Sequence, residues 1–176
     1  MGKKIFFVVI ILIIIIGVIA AVNVLTNNDE VEEVGGTEED VQAEETFSVE
    51  YDGVDVTPGV PFDETAISEE YTYSEIQSCA FDGYDKVYTY SGVEIDSAEI
   101  NGVETVYYVY FIDTETETTE GVKIADSVDA MLEAYGEDYE QPTENSYVYT
   151  RGDVILTFVV ESDVITSIEY TLNVDF

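Results

Sequence analysis

The chain has 176 residues, with 39 Asp and Glu against 5 Lys and Arg, a formal net charge of −34 and no histidine. That balance excludes recognition of nucleic-acid phosphates, which needs clustered basic residues, and argues against docking of the folded part on anionic lipid. Without histidine the usual general base is missing, and Cys79, the one cysteine, offers neither a disulfide framework nor an activated thiol; it reads as a small buried core residue.

Met1-Gly-Lys-Lys opens the chain, and Ile5 to Val22 follows without a charged or strongly polar side chain. At about 1.5 Å per residue such a run spans close to the hydrocarbon thickness of a bilayer. Lys3 and Lys4 before it and acidic residues after it place the N-terminus inside. Residues 1–22 therefore read as an uncleaved single-pass signal-anchor. The alternative is a secretory signal cleaved near Val18-Ile-Ala20. Both readings put the rest of the chain outside the cytoplasm, and no Cys follows the segment to carry a lipoprotein lipid anchor. Residues 23–46 read as a flexible acidic linker. Clusters such as Glu32-Glu33 and Glu38-Glu39-Asp40, with no aromatic among them, cannot bury enough apolar surface to offset ordering entropy.

An extracytoplasmic domain is expected over 47–176. Phe47-Ser-Val-Glu-Tyr51 alternates as a short strand, and Asp52-Gly53 signals a tight turn into Val54-Asp-Val56. Thr57-Pro-Gly-Val-Pro61 breaks regular structure. Residues 63–77 show no hydrophobic period and read as a poor helix or a loop with a short strand. From Ser78 strand signals are dense: 86–90, 93–100, an Asn101-Gly102 hairpin turn, then 103–113. The arm from Val103 to Ile112 is apolar or aromatic on both faces, the pattern of a strand covered on both sides and central in its sheet.

The helix signal lies between Gly121 and Gly136. Val128, Met131, Leu132 and Tyr135 fall at i, i+3, i+4 and i+7, one face of a helix. Asp126 is placed to cap its first turn, Asp129 suits the positive end of its dipole, and Gly136 stands where a left-handed C-terminal cap is wanted. So short a helix must lie on the sheet that follows it. Strand patterns resume at 146–150, 153–160 and 164–172, with turns at Arg151-Gly152 and Glu161-Ser-Asp163. Val87-Tyr88-Thr89 recurs as Val148-Tyr149-Thr150, and at the same offset Val93 matches Val154, Ile95 matches Leu156 and Val103 matches Val164. These matches predict two tandem units, 57–113 and 119–172, each an irregular or helical segment followed by a three-stranded meander.

Gly121-Val-x-Ile-x-Asp-Ser, Ala134-Tyr-Gly136, Tyr147-x-Tyr149 and Val164-Ile-Thr-Ser-Ile168-Glu together resemble exported domains of Gram-positive bacteria. Their helix-plus-meander unit is similar to that of the small outer-membrane assembly lipoproteins (the SmpA/OmlA, or BamE, type) and of the beta-lactamase-inhibitor proteins, which are tandem repeats of such a unit. Ser78-Cys-Ala-Phe-Asp-Gly83 before Asp85-Lys-Val-Tyr88 is similar to a feature of exported proteins of unknown function that carry it. The resemblance spans roughly 57–170. It departs from the family where Ala125 replaces Gly and where no Pro follows Gly136. It implies a non-enzymatic, protein-binding domain outside the cytoplasm, and it carries over no inhibitory residue.

The fold expected is α+β: an antiparallel sheet of about six strands from two tandem units, with one clear amphipathic helix on a face. No phosphate loop, zinc spacing or Ser/His/Asp set is present, so no catalytic residue is assigned. Oxygen-rich turns offer Asp82, Asp85, Asp113, Glu115 and Glu117 as candidate Ca²⁺ ligands, with a solvated acidic loop as the alternative. The candidate binding residues are Tyr88, Tyr90, Tyr108, Tyr110, Tyr147 and Tyr149, each pair on one side of its strand. Such tyrosines suit a protein partner, or a cell-wall glycan through ring stacking; the competing reading is that strands favour tyrosine and bury it.

Overall fold

The computed structural model describes residues 46–81 and 83–174, where period-two alternation marks most of the strands. The expected signal-anchor, the linker up to Glu45 and Asp82 lie outside the described residues. β1 (Val49–Tyr51) and β2 (Val54–Val56) form a separate hairpin. Its turn residues Asp52 and Gly53 both have positive φ, 49° and 76°, as a two-residue turn matched to strand twist requires. Then come β3 (Thr72–Gln77), β4 (Tyr84–Thr89), β5 (Val93–Ile100), β6 (Val103–Phe111), α1 (Val128–Tyr135), β7 (Ser146–Arg151), β8 (Val154–Glu161) and β9 (Val164–Leu172). β3 to β9 make one antiparallel sheet in the order β3-β4-β5-β6-β9-β8-β7.

This corrects the expected α+β fold of about six strands. Among the described residues the architecture is mostly β, a two-stranded and a seven-stranded sheet with one helix of 8 residues. Two local causes account for the difference. Residues Thr72–Gln77 form an edge strand with every residue exposed, so burial imposes no alternation on its sequence. The helix also starts late, because Ala125 and Asp126 pair with β9 instead: Ala125 N–H donates to Ile165 O at 2.9 Å, and Ile165 N–H to Asp126 O at 2.9 Å. The cap is accordingly Ser127, whose Oγ accepts from Ala130 N–H at 3.2 Å. Asp126 instead closes the preceding turn, accepting from Lys123 N–H at 2.9 Å. Gly136, at φ 81°, ends the helix as expected and donates to Leu132 O.

A single transverse row crosses all seven strands. Tyr73, Tyr88, Ile95, Val109, Tyr170, Leu156 and Tyr149 stand directly opposite one another in register. All but Tyr73 are buried. Tyr88, Ile95 and Val109 in the first meander hold the places that Tyr149, Leu156 and Tyr170 hold in the second, at one constant sequence offset. β6 and β9, antiparallel neighbours, form the seam between the halves.

The helix, the β1–β2 hairpin and the segment after it cover this face. Met131 is fully buried, and Phe47, Val49, Val56, Ile67 and Val122 join it in the core. The Tyr135 ring lies 5.2 Å from Phe158 and 5.3 Å from Tyr149, Tyr51 lies 5.7 Å from Tyr90, and Phe62 lies 4.9 Å from Tyr88. Each such buried side chain contributes about 1.5–3 kcal/mol of transfer free energy. β6 is the central strand, as its composition predicts, but among the described residues the helix, the hairpin and the segment after it cover only one of its faces. On the covered side Val109 and Phe111 are fully buried, whereas Tyr108 and Tyr110 between them stay half-exposed. Cys79 also departs from expectation: it is exposed, in the turn after β3 where Ser78 Oγ accepts from Ala80 and Phe81 N–H.

Candidate functional site

The six candidate tyrosines do not share one face. Tyr88, Tyr90 and Tyr149 are core residues on the covered side, each 5 % exposed or less. Tyr147 is half-buried on that same side, its ring 4.9 Å from Tyr139. Tyr149 also donates to Gly136 O at 2.9 Å, tying β7 to the end of the helix. Tyr108 and Tyr110 alone stand on the open face, their rings stacked with centroids 6.4 Å apart and 7° between planes.

The open face has a definite chemistry. Register places Glu94 opposite Tyr110 and Tyr110 opposite Glu169, and it places Asp96 opposite Tyr108. A bulge lies beside them: Asp96 pairs with Tyr108 and Ser97 with Val106, which leaves Tyr107 as the extra residue. A bulge turns two successive side chains toward one side. Tyr107 therefore joins Tyr108 on this face, where its hydroxyl donates to Asp96 Oδ2 at 3.4 Å. Tyr108 donates to Glu169 Oε2 at 2.8 Å. Phe81, from the loop between β3 and β4, sets its ring 5.1 Å from Tyr107, and Asp85 on β4 lies buried nearby.

Burial governs the titration here. Asp96 is pushed up to about 7, by loss of water first and by Glu94 second. Tyr107 is raised by burial, then by Asp96 and Asp85, and Tyr108 by burial and then by its bond to Glu169. Sequence reasoning misses Asp85 and Asp96 as a pair, and it misses Tyr107, Glu94 and Glu169. Asp96 falls on the polar phase of β5 just as Glu94 does, so nothing in the alternation marks it.

The basic residues of the described chain lie away from this face. Lys86 pairs with Glu104 at 2.6 Å, and Ser97 also donates to that carboxylate. Lys123 pairs with Glu117 at 3.4 Å. Arg151 pairs with Glu120 at 3.1 Å and lays its guanidinium 4.1 Å from the centre of the Phe47 ring.

The candidate Ca²⁺ ligands are not brought together. Asp85 and Asp113 lie toward opposite ends of the sheet strands, Glu115 is exposed, and Glu117 is engaged by Lys123. Asp113 Oδ1 accepts from the N–H groups of Glu115 and Thr116 at 3.1 and 2.8 Å, so one of its oxygens serves the turn itself. The loop forms one wall of a cleft of about 550 Å³ whose carboxylates are Glu50, Asp52, Asp55, Asp113, Glu115 and Glu117. Among the described residues, no three carboxylate or thiol side chains gather closely enough to hold a metal ion, and no helix is long and apolar enough to cross a membrane.

No family model, curated protein or solved structure matches the chain. The resemblance to the exported helix-plus-meander domains therefore rests on the sequence motifs alone.

Proposed function

We propose that the folded part is a non-enzymatic binding module, held outside the cytoplasm by its N-terminal hydrophobic segment, whose open sheet face takes a basic protein partner. The observation that carries this reading is the face itself. Glu94, Asp96 and Glu169 alternate with the stacked rings of Tyr108 and Tyr110, and the described Lys and Arg side chains are engaged elsewhere. Stacked aromatics in a polar setting supply rigid contact area, and interface energy concentrates on such residues. The carboxylates add complementarity to a partner rich in Lys and Arg, and they speed encounter at low salt. A raised carboxyl such as Asp96 also suits general acid chemistry. It lies, however, on an open strand surface rather than in a cleft that would enclose a substrate. The sequence resemblance to protein-binding exported domains supports the same class of function.

The test is titration of the full chain, in detergent micelles, with an oligolysine peptide. Glu94→Gln with Glu169→Gln is expected to weaken binding about ten-fold, since hydrogen-bonded or partly desolvated charges at an interface dominate its electrostatics. Asp129→Asn with Glu133→Gln, an equal charge change on the exposed side of the helix, should alter it by less than about two-fold. Equal losses from both pairs would mean diffuse attraction to a polyanion and would overturn the assignment. Binding of neutral cell-wall glycan chains with no salt dependence would transfer the face to the glycan alternative.

A further inference from the structure

We propose that the outer edge of β3 takes an extended segment of a partner polypeptide, one in which basic and apolar residues alternate, as a further strand of the seven-stranded sheet. This edge is a different surface from the open face and does not depend on it.

β3 ends one side of the sheet, in unbroken register with β4 from Thr72↔Thr89 to Gln77↔Tyr84. Ser78 N–H, one step past the strand, donates to Gly83 O at 3.1 Å. Antiparallel residue pairs alternate between bonded and non-bonded, so Ser74 and Ile76 direct their backbone groups at β4. Tyr73, Glu75 and Gln77 direct theirs outward. The far side of β4 agrees. Tyr90 N–H donates to Val93 O at 2.9 Å, which gives Lys86 and Tyr88 to β5 and leaves Asp85 and Val87 for β3. Among the described residues no backbone group meets the outward row of Tyr73, Glu75 and Gln77.

The opposite edge is treated differently. Glu140 and Val148 exchange both backbone bonds, at 2.8 and 2.9 Å. Val148 holds in the second meander the place of Val87 in the first, so Glu140 stands where Ser74 stands. The second half closes its edge with one bridge; the first half adds a whole strand and leaves that strand's outer side open. β3 also lacks the devices that keep edges from pairing, for it holds no Lys, no Pro and no bulge. A row of alternating donors and acceptors is matched by another extended backbone, which makes the occupant a polypeptide.

The side chains say which kind. A strand laid against β3 sets every second residue beside Tyr73, Glu75 and Gln77, and the residues between beside Ser74 and Ile76. The first set meets a half-exposed ring and a carboxylate, joined by the bond from the Tyr73 hydroxyl to Glu75. Next to them lies a cleft of about 310 Å³ with Glu75, Glu99 and Glu104 in its wall, where Lys86 is already held by Glu104. Lys or Arg fits there, on the carboxylates and over the ring. The second set meets Ile76, 56 % exposed, which favours an apolar residue. A second copy fits poorly. The register that pairs the whole outward row, Tyr73 with Gln77 in both directions, puts Glu75 against Glu75, between chains that each carry −34.

The test titrates the full chain, in micelles, with the peptide Lys-Val-Lys-Val-Lys-Val-Lys and two N-methylated forms of it. Methyl groups on the Lys amides remove the donors that face β3 and are expected to weaken binding about ten-fold or more. Methyl groups on the inner Val amides fall on the solvent side of the added strand and should change it by less than about three-fold. Equal binding of the two methylated forms would overturn strand addition, and the reverse order would overturn the pairing of Lys with Glu75. Amide hydrogen exchange gives a second reading on the natural chain: with peptide bound, Tyr73, Glu75 and Gln77 should slow about ten-fold. Unchanged exchange at these three amides under saturating peptide would overturn the site. Glu75→Pro keeps the β3–β4 ladder, because that N–H points outward, and should abolish binding, whereas Glu75→Gln should weaken it only about two- to three-fold. A dimer in sedimentation that Glu75→Pro dissolves would give the edge to a second copy and overturn the proposal. Loss of the difference between the methylated peptides in Glu94→Gln with Glu169→Gln would move the binding to the open face and also overturn it.

Discussion

Helix α1 is only 8 residues long and would not persist alone in water, so its docking on the sheet should depend on very few side chains. Met131 is the decisive one: it is fully buried, whereas Val128, Leu132 and Tyr135 of the same stripe are only half-buried. Met131→Ala deletes a core side chain and leaves a cavity lined by rigid strands, which costs about 2–5 kcal/mol. The better helix propensity of Ala returns only a few tenths of that. Leu132→Ala removes a side chain that already keeps part of its contact with water, so roughly half the transfer free energy of a full Leu is at stake, about 1–1.5 kcal/mol. Urea unfolding followed by far-ultraviolet circular dichroism reads both, with the slope on denaturant required to stay constant so that the midpoints report stability. The reasoning fails if Leu132→Ala costs as much as Met131→Ala. It fails equally if Met131→Ala stays within about 0.5 kcal/mol, the range of surface changes.

Asp96→Asn should change the pH dependence of stability. A carboxyl raised from 3.8 to about 7 in the folded chain contributes stability that is full below the unfolded value and is lost as pH rises through about 7. The complete difference would be about 4 kcal/mol, and because Asp96 is only half-buried, solvent screening reduces it to about 1–2 kcal/mol. The variant should therefore gain on the natural chain between about pH 4 and pH 8; parallel melting curves across that range would contradict this. Gly92→Ala is expected to destabilise by about 1–3 kcal/mol, the cost of overpacking. Its new methyl would lie 3.0 Å from the Tyr51 ring and 3.2 Å from Asp113 Oδ2 and would run into Thr116 Oγ1. An unchanged melting temperature would show that the Asp113 turn yields freely.

Much of the sheet is legible in the chain because its strands are half-covered. Alternation and turn residues mark β4 to β9, and Asn101-Gly102 marks the hairpin between β5 and β6, with φ of 54° and 81°. Three things are not legible, each for a stated cause. β3 lies at an edge with all its residues exposed, so no burial pattern is written into it. Tyrosines two apart must share a side, but which side is covered depends on where α1 and the β1–β2 hairpin pack, and that is a long-range outcome. Tyr88 and Tyr149 thus become core while Tyr108 and Tyr110 stay open. Finally, the bulge that brings Tyr107 beside Asp96 shifts register by one residue, and no residue type in Val103 to Phe111 announces it.

The seam between the halves has a mechanical consequence. β8 and β9 share a long register from Val154↔Leu172 to Glu161↔Val164, and β5 and β6 one from Val93↔Phe111 to Ile100↔Val103. The backbone ladder between β6 and β9 is short, running through Tyr108↔Thr171, Val109↔Tyr170 and Tyr110↔Glu169. Farther along, β6 is paired instead by the chain after β2, where Gly59 N–H donates to Val106 O at 2.8 Å and Phe62 N–H to Glu104 O at 3.1 Å. A pull across the sheet concentrates on those three residue pairs. The molecule should yield there first, parting into two meanders that each keep their internal ladders, and Tyr108 and Tyr110 sit on the line of parting.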